Sequence, residues 1–252
     1  MNLAILISGT GTTMEAVLST VENKTLNKVR PVVVISSNSQ AGGIIKAKNH
    51  GIKTEVIERK KFPSLEEFGK ALLEILIKND TDFISQNGWM LLTPGNVIQK
   101  FSGRVINQHP GPLDPGYHDF GGKHMFGASR VTAARLAYIA LTHDDLWTES
   151  TVHYVSEEYD MGRLIQVKPL GVKKALFVEN IAELSEKSAL LIKKTLEVQK
   201  ELLPLEHENV IEVLQELADG KKPFYERQHR LIPEANIAIL EQAKKLAIEL
   251  FP

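Results

Sequence analysis

The chain has 252 residues, of which 43% are hydrophobic and 24% charged, and 30 basic residues nearly balance 31 acidic ones. This composition is typical of a folded globular protein and excludes a disordered chain, a collagen-like fibre and a membrane bundle. The near-zero net charge gives no general attraction to nucleic acid. Cysteine is absent, which excludes disulfides, thiolate nucleophiles and cysteine-bound metals. No segment has the pattern of a secretion signal or a membrane span, so a cytoplasmic location is expected.

The first half of the chain alternates β-rich runs with amphipathic helical stretches. Strands are predicted where short apolar or β-branched runs lie between turn residues, at 3–8, 29–36, 54–57, 82–85 and 104–107. Helices are predicted from residue 14, over 41–49 and over 64–78, the last with a capping box formed by Ser64 and Glu67. This alternation predicts an α/β fold, with a doubly wound, mostly parallel sheet and helices on both faces.

The alternation is interrupted after the fifth strand. Residues 109–127 are rich in glycine and proline and predict a loop at the carboxyl edge of the sheet, where α/β proteins place function. A helix is predicted over 129–141, and two further strands over 151–155 and 164–167.

The C-terminal part of the chain is predicted to be helical. From about residue 180 the sequence is charged and helix-forming, with expected breaks at Pro204 and at 220–223. We therefore expect a catalytic domain over residues 1–205 and a C-terminal helical extension over 206–252 that packs on the same domain.

A glycine-rich segment lies between the first strand and the first helix. It reads Ser8-Gly9-Thr10-Gly11-Thr12-Thr13, and its backbone N–H groups and helix N-terminus suit a phosphate. It lacks the lysine of a P-loop, and Met14 replaces the third glycine of a dinucleotide fingerprint. The segment predicts a phosphate-binding site at Gly9, Thr10, Gly11, Thr12 and Thr13; the alternative is a tight turn without a ligand.

Two further segments carry polar side chains that suit acyl chemistry. Asn107 and His109 lie two residues apart, so in a strand their amide and imidazole project to one side and suit a carbonyl that becomes an oxyanion. The acidic turn Glu157–Gly162 could orient an imidazole, or it could be a solvated turn. His153 is expected to be a packed or surface histidine. His143-Asp144-Asp145 is a weak metal candidate that fits a solvated loop better.

Together these segments resemble the folate-dependent formyltransferase family, in particular the glycinamide ribonucleotide formyltransferases of purine synthesis. The family pattern S-G-x-G-[ST]-N corresponds to residues 8–13, and S-N-x-x-A-G-G to residues 37–43. The pattern N-x-H-P corresponds to residues 107–110, and T-V-H-[FY]-V followed by D-x-G to 151–155 and 160–162. The four motifs lie in the family's order over residues 1–170.

The chain also departs from the family pattern at several positions. Thr13 stands in place of asparagine, and Gly111–Pro115 in place of S-L-L-P. Gly88–Leu92 lacks the arginine of G-[FY]-M-R-[IL]-L, which helps to hold the glutamate tail of folate. For the glutamate helix Q-E-H-x-x-Y-P, both Gln199 and Gln228-His229 are candidates.

The resemblance implies transfer of a formyl group from 10-formyltetrahydrofolate, as co-substrate, to the amine of glycinamide ribonucleotide. The implied catalytic residues are Asn107, His109 and Asp160, with no metal. The implied folate-binding residues are Gly88, Trp89, Met90, Leu91, Leu92, Val155, Glu157 and Tyr159. The expected partners are small molecules, without nucleic acid or membrane, and the protein is expected to be a monomer or homodimer.

Other functions within and outside this family remain open at this point. A 10-formyltetrahydrofolate hydrolase usually has an N-terminal regulatory domain, whereas the first strand here starts at Leu3. A methionyl-tRNA formyltransferase needs a basic C-terminal domain, whereas residues 181–252 are mixed in charge. A formyltransferase acting on a sugar nucleotide, and a non-enzymatic module that binds a phosphate ligand, are the remaining alternatives.

Overall fold

The computed structural model describes residues 1–143, 145–173 and 176–252, so the Asp144 of the weak metal candidate lies outside the described residues. The strands are β1 (Asn2–Ile7), β2 (Arg30–Ser36), β3 (Thr54–Val56), β4 (Phe83–Gln86), β5 (Val105–His109), β6 (Trp147–Tyr154) and β7 (Leu164–Gly171). The helices are α1 (Thr12–Glu22), α2 (Gly43–Asn49), α3 (Leu65–Lys78), α4 (Gly95–Lys100), α5 (Ala128–Thr142), α6 (Ile181–Glu186), α7 (Ser188–Ala218) and α8 (Ile237–Leu250). Short 3-10 helices span Arg59–Lys61 and Glu234–Asn236.

In the described part of the chain, the strands form one seven-stranded sheet in the order β3-β2-β1-β4-β5-β6-β7. Strands β1 to β5 pair in parallel, and β6 and β7 add in antiparallel fashion at one edge. Alternate residues of β1 pack on opposite faces: Leu3 and Ile5 contact the α1 and α7 side, and Leu6 contacts the α3 side. The predicted doubly wound, mostly parallel sheet with helices on both faces is therefore confirmed.

Local signals at two predicted helix ends are also confirmed. The Ser64 hydroxyl accepts a hydrogen bond from the Glu67 N–H at 3.1 Å and so caps α3. Helix α2 is followed by Gly51 in the left-handed conformation, as expected for a glycine just past a helix end.

Strand β6 begins at Trp147, earlier than the predicted start at residue 151. The additional residues include Thr148, Glu149 and Ser150, which are polar and yet buried. A strand buried through polar side chains lacks the apolar pattern that predicts a strand, so its first half was missed.

Helix α7 runs without interruption through Pro204, so the break predicted at that residue is wrong. Proline removes one helical donor, the one that would bond the carbonyl of Lys200. Leu202 and Glu206, on either side of the proline, are both buried, and this packing keeps the helix continuous. The predicted boundary between residues 205 and 206 falls inside α7, and the division into domain and extension stays a prediction.

The chain after α7 returns to the body of the protein. Residues 221–236, called the C-terminal arm below, lead into α8. In α8, Leu240, Ala243 and Ala247 are buried in one apolar cluster with Val131 and Ala134 of α5. The same cluster includes Phe120, which lies in the loop between β5 and α5 (residues 110–127), called the glycine-rich loop below. This loop and α8 therefore share a core.

Candidate active site

The predicted phosphate segment forms the turn between β1 and α1. Gly11 is the N-cap of α1 in the left-handed conformation, with φ 67°, and its carbonyl accepts the Glu15 N–H at 2.9 Å. The first N–H groups of a helix have no partner within it and carry a partial positive charge. The turn and these groups border a cavity of about 290 Å³. All five predicted residues line this cavity: Gly9, Thr10, Gly11, Thr12 and Thr13. Phosphate binding there stays a prediction.

The segment matching S-N-x-x-A-G-G supports this turn from behind. The Gly43 N–H donates to the Gly9 carbonyl at 3.1 Å, and the Ser8 and Ser37 hydroxyls lie 2.6 Å apart. A side chain at Gly11 would start 2.9 Å from the Gly43 Cα, so glycine is needed at Gly11 for this close approach. The two motifs are therefore one structural unit.

Two of the predicted catalytic residues lie on β5 and meet a histidine on the neighbouring strand. Asn107 stands directly opposite His153 of β6, and the Asn107 Nδ2 lies 3.1 Å from the His153 Nε2. The His153 Nδ1 lies 2.8 Å from the Tyr154 carbonyl oxygen, which can only accept, so Nδ1 carries a proton. In neutral His153 the Nε2 then accepts a hydrogen bond from the Asn107 Nδ2–H group, which fixes the orientation of that amide.

Asp160 approaches the two histidines from the loop between β6 and β7. Its Oδ1 lies 3.7 Å from the His109 Nδ1 and 3.6 Å from the His153 Nε2. Its Oδ2 accepts the Gly122 N–H at 2.9 Å. Asp160 has φ 58°, a left-handed conformation that Asp and Asn adopt more readily than most residues. The structure thus brings Asn107, His109 and Asp160 together, and His153 is buried beside them.

Asn107, His109, His153 and Asp160 are called the polar cluster below. Burial and neighbouring charges have opposite effects on the pKa values of its ionisable groups. Burial favours the neutral acid of Asp160, but the two histidines and the Gly122 N–H outweigh it and hold the pKa of Asp160 well below its usual value. Burial lowers the pKa of His109 although Asp160 acts to raise it. The His109 Nε2 is buried and has no hydrogen-bond partner among the described residues. In the free protein His109 is therefore neutral at pH 7 and Asp160 is ionised.

The predicted folate-binding residues form an apolar wall of the same cavity. Trp89 is buried and stacks on Phe68 of α3, with ring centroids 6.4 Å apart. The Met90 N–H donates to the Ser8 hydroxyl at 2.9 Å. This bond connects the apolar wall to the turn of residues 8–13, called the phosphate turn below. The predicted residues that line the cavity are Gly88, Trp89, Met90, Leu91, Leu92, Val155 and Tyr159.

Glu157 differs from the other predicted folate-binding residues. It does not belong to the cavity lining, whereas its neighbour Glu158 does. A side chain at Gly95, the first residue of α4, would lie 3.4 Å from the Glu157 carboxylate, so this carboxylate faces the start of α4. Its contact with folate stays a prediction without support from the cavity geometry.

Glu206 also lines the cavity, although the sequence did not predict it as a site residue. Its side chain is buried on the inward stripe of α7, and burial raises its pKa to about 7. The two candidates proposed for the family's glutamate helix lie elsewhere: Gln199 bonds Ser129, and the pair Gln228-His229 is exposed. Glu206-His207 instead supplies the adjacent glutamate and histidine of that pattern. The signal was an acidic residue at an apolar stripe position, since Leu202 and Val210 lie four residues away on either side.

Comparisons with known proteins agree with this fold. A protein-family model described as formyl transferase matches residues 1–189, so the chain belongs to that family. The trifunctional purine biosynthetic protein adenosine-3 of Bos taurus is 31% identical over 182 residues, which is 72% of this chain and 16% of the relative. The chloroplastic phosphoribosylglycinamide formyltransferase of Arabidopsis thaliana is 29% identical over 164 residues, which is 65% of this chain and 52% of the relative. The chain thus spans only part of each.

Solved structures show the same fold over most of the chain. The phosphoribosylglycinamide formyltransferase of Coxiella burnetii superposes with a TM-score of 0.70 at 25% identity, covering 90% of this chain and 92% of the other. Glycinamide ribonucleotide transformylase 1 of Symbiobacterium toebii gives a TM-score of 0.69 at 24% identity, covering 90% and 94%. Within the described residues, no helix is both long and apolar enough to cross a membrane.

Proposed function

We propose that this protein transfers the formyl group of 10-formyltetrahydrofolate to the amine of glycinamide ribonucleotide, a step of purine biosynthesis de novo. The observation that carries the proposal is one cavity of about 290 Å³ that is lined by the phosphate turn, the polar cluster and the apolar wall. The relatives named phosphoribosylglycinamide formyltransferase or transformylase add support. A phosphate at one end and a folate at the other would meet at Asn107, His109 and Asp160.

The acceptor binds through groups on α1 and α7. Its phosphate occupies the turn at Gly9–Thr13, where backbone N–H groups and the helix dipole favour an anion. Glu206 lines the same cavity and offers a carboxyl group for hydrogen bonds to the polar groups of the acceptor. Binding energy gained at the phosphate is remote from the reacting amine and fixes the direction of its approach.

The apolar wall fits the ring system of a folate. Trp89, Leu92 and Val155 offer flat or branched apolar surface. Asn87 also lines the cavity, and its buried Oδ1 has no hydrogen-bond partner in the described part of the chain, which suits the donors on the edge of a pterin. The segment Gly88–Leu92 is one residue shorter than the family's and lacks its arginine, so the folate tail is held by different contacts in this protein.

The polar cluster supplies the chemistry of the transfer. The folate co-substrate supplies the formyl carbon, which the acceptor nitrogen attacks; the acceptor nitrogen then loses a proton, and N10 gains one as its bond to carbon breaks. Asn107 donates a hydrogen bond to the formyl oxygen, where negative charge develops. That charge raises the pKa of His109, so the ring, which is neutral in the free protein, can take up a proton and pass it to N10. Asp160 accepts the amine proton through water and, because its own pKa is low, passes it on to His109 and stabilises the charged ring.

The remaining expectations about partners and location stay predictions. They are small-molecule substrates, a monomer or homodimer, no nucleic acid, no membrane, no metal and a cytoplasmic location.

The proposed function is tested by measuring tetrahydrofolate release from 10-formyltetrahydrofolate with and without glycinamide ribonucleotide. We expect release only when the ribonucleotide is present, together with formylated product in equal amount. Equal release without the acceptor would make the protein a hydrolase, and release only with an amino sugar nucleotide would change the acceptor. No release under any of these conditions would support a binding module instead.

A further inference from the structure

One peptide group connects Asp160 to the C-terminal helix. The N–H of the peptide between Gly121 and Gly122 donates to the Asp160 Oδ2 at 2.9 Å. The carbonyl oxygen of the same peptide accepts from the Lys244 Nζ of α8 at 3.0 Å. The ammonium group and the carboxylate therefore lie on opposite sides of a single planar amide.

The position of this peptide is closely determined. A side chain on Gly121 would start 2.8 Å from the Asp160 Cβ, so the loop packs directly on the carboxylate residue. The Gly121 N–H donates to the Asp119 Oδ1 at 2.8 Å, and the other oxygen of Asp119 accepts the Asp114 N–H at 2.8 Å. The N–H groups of Gly121 and Gly122, beside Asp160, thus both have a defined partner.

We propose that Lys244 is a positioning residue for the reaction, which acts on Asp160 through the peptide between Gly121 and Gly122. This inference rests on the proposed function, because it concerns the residue that supports His109 in formyl transfer. Lys244 lies beyond residue 189, where the family match ends, so its contact with the Gly121 carbonyl comes from the C-terminal part of this chain.

The physical effect has two parts. A cation on the carbonyl polarises the amide and strengthens the hydrogen bond from its N–H to Asp160, because hydrogen bonds in series reinforce one another. The same contact fixes where the peptide lies and hence where the carboxylate faces the His109 ring. A small misplacement of such a group costs up to about 100-fold in rate.

Lys244 also belongs to the charges that surround His109. Asp160 and Asp119 raise the pKa of His109, whereas His153 and Lys244 lower it, together with burial. Removing the Lys244 charge should therefore raise the pKa of His109 while it weakens the hold on Asp160. A merely structural role for Lys244 predicts neither change.

The test compares Lys244→Met and Lys244→Gln with Lys245→Met, a matched control at an exposed position of the same helix. For Lys244→Met we expect kcat to fall about tenfold with little change in either KM. We expect the His109 titration, followed by NMR, to move to higher pH and the Gly122 amide proton to move upfield. Lys244→Gln keeps a donor without the charge and should show the same titration shift. Lys245→Met should match the wild type in each measurement.

Unchanged kcat together with an unchanged His109 titration in Lys244→Met would overturn the proposal, as would equal effects in Lys245→Met. If Lys244→Met does not fold, Lys244→Gln decides in the same way. The NMR measurements need no substrate, so they report on the Lys244–Asp160 connection even if the wild type transfers no formyl group. Failure of the proposed function and failure of this inference are thus separate results.

Discussion

At the scale of single residues, the polar cluster depends on Asp160, which carries a negative charge next to two buried histidines. Asparagine keeps the size of the side chain and tolerates the left-handed backbone at this position, so Asp160→Asn removes the charge with little strain. This makes the substitution a specific test of the electrostatic role.

For Asp160→Asn we expect kcat to fall by about 10²–10⁴-fold while the KM of the ribonucleotide changes little. The pKa of His109 should fall further, because Asp160 is the strongest of the groups that raise it. Steady-state kinetics and an NMR titration of His109 measure both effects. Asp219→Asn, at a surface ion pair with Lys28, is the control and should change neither. Wild-type turnover in Asp160→Asn would remove this residue from the mechanism.

A second prediction at the residue scale concerns the phosphate turn. A β-branched residue at Gly11 would meet the Gly43 backbone at 2.9 Å and strain a left-handed position, so it would disturb the fold as well as the site. Gly9 is the better position, because a side chain there meets no atom within 4 Å and the residue lines the cavity.

We expect Gly9→Val to raise the KM of the ribonucleotide by about tenfold or more, a loss of about 1.4 kcal/mol of binding. The KM of the folate and the thermal stability should remain close to those of the wild type. Gly171→Val, at an open position at the end of β7, controls for the added side chain and should have no effect. Equal increases in both KM values for Gly9→Val would argue against a phosphate site at the turn.

At the scale of secondary-structure elements, α7 combines two roles that normally conflict. Its inward stripe packs on the sheet through Val210 and Val213, yet the same stripe places Glu206 at the cavity. A buried carboxyl without a charged partner costs stability when it ionises. The helix therefore gives up stability at neutral and higher pH in order to present this group.

The cost can be measured through the pH dependence of unfolding. Burial raises the pKa of Glu206 to about 7 in the folded state. The folded state then holds the proton of Glu206 more tightly than the unfolded state does. The contribution of Glu206 to the free energy of unfolding is therefore fully present below the unfolded pKa and is lost as pH rises to 7. At pH 8 we expect Glu206→Gln to be more stable than the wild type by up to about 3 kcal/mol in urea, and by much less at pH 5.

The same variant should bind the acceptor less tightly, which a rise in its KM would show. Glu197→Gln, at an exposed position of α7, should leave both the stability and the KM unchanged. A stability difference for Glu206→Gln that does not depend on pH would contradict the assignment of a buried, titrating carboxyl.

The elements also show how far sequence reasoning extends. Regular alternation predicted β1 to β5 and helices α1 to α3, since each depends on local apolar patterns, whereas the short helix α4 between β4 and β5 was not predicted. The polar, buried start of β6 and the continuity of α7 through Pro204 both depend on tertiary packing, which overrides local propensity.

The same distinction applies to the site, where some residues follow from local spacing and others depend on tertiary packing. Asn107 and His109 could be paired from their spacing in one strand. The approach of Asp160 to His109, and the position of Glu206 at the cavity, depend on how distant segments pack. For Asp160 the family resemblance supplied what the spacing could not, and for Glu206 the helix stripe was the missed signal.

At the scale of the whole molecule, the C-terminal arm joins the glycine-rich loop to the sheet. Arg227 of the arm donates to the Leu113 carbonyl at 2.6 Å and forms an ion pair with Glu149 of β6. The Leu231 N–H donates to the Asp114 Oδ2 at 2.8 Å. The arm thus connects the glycine-rich loop, which also contacts Asp160, to strand β6.

We expect Arg227→Met to lower the free energy of unfolding by about 3–5 kcal/mol, because it leaves the carboxylate of Glu149 buried without its partner. Burial already raises the pKa of Glu149 against the effect of Arg227. Its pKa should rise further in the variant, so the loss of stability should be greater at pH 8 than at pH 5. Urea denaturation at both values tests this. Glu149→Gln combined with Arg227→Met should recover part of the loss, and no recovery would argue against a buried charge as its cause.

The contact between Lys244 and Gly121 joins residues 123 positions apart in the sequence. During synthesis α8 leaves the ribosome after every other element that borders the site. A nascent chain that has already formed its sheet therefore still lacks the Lys244 ammonium group that contacts the peptide next to Asp160. The full catalytic rate should therefore be reached only late in biogenesis, after the framework of the domain has been built.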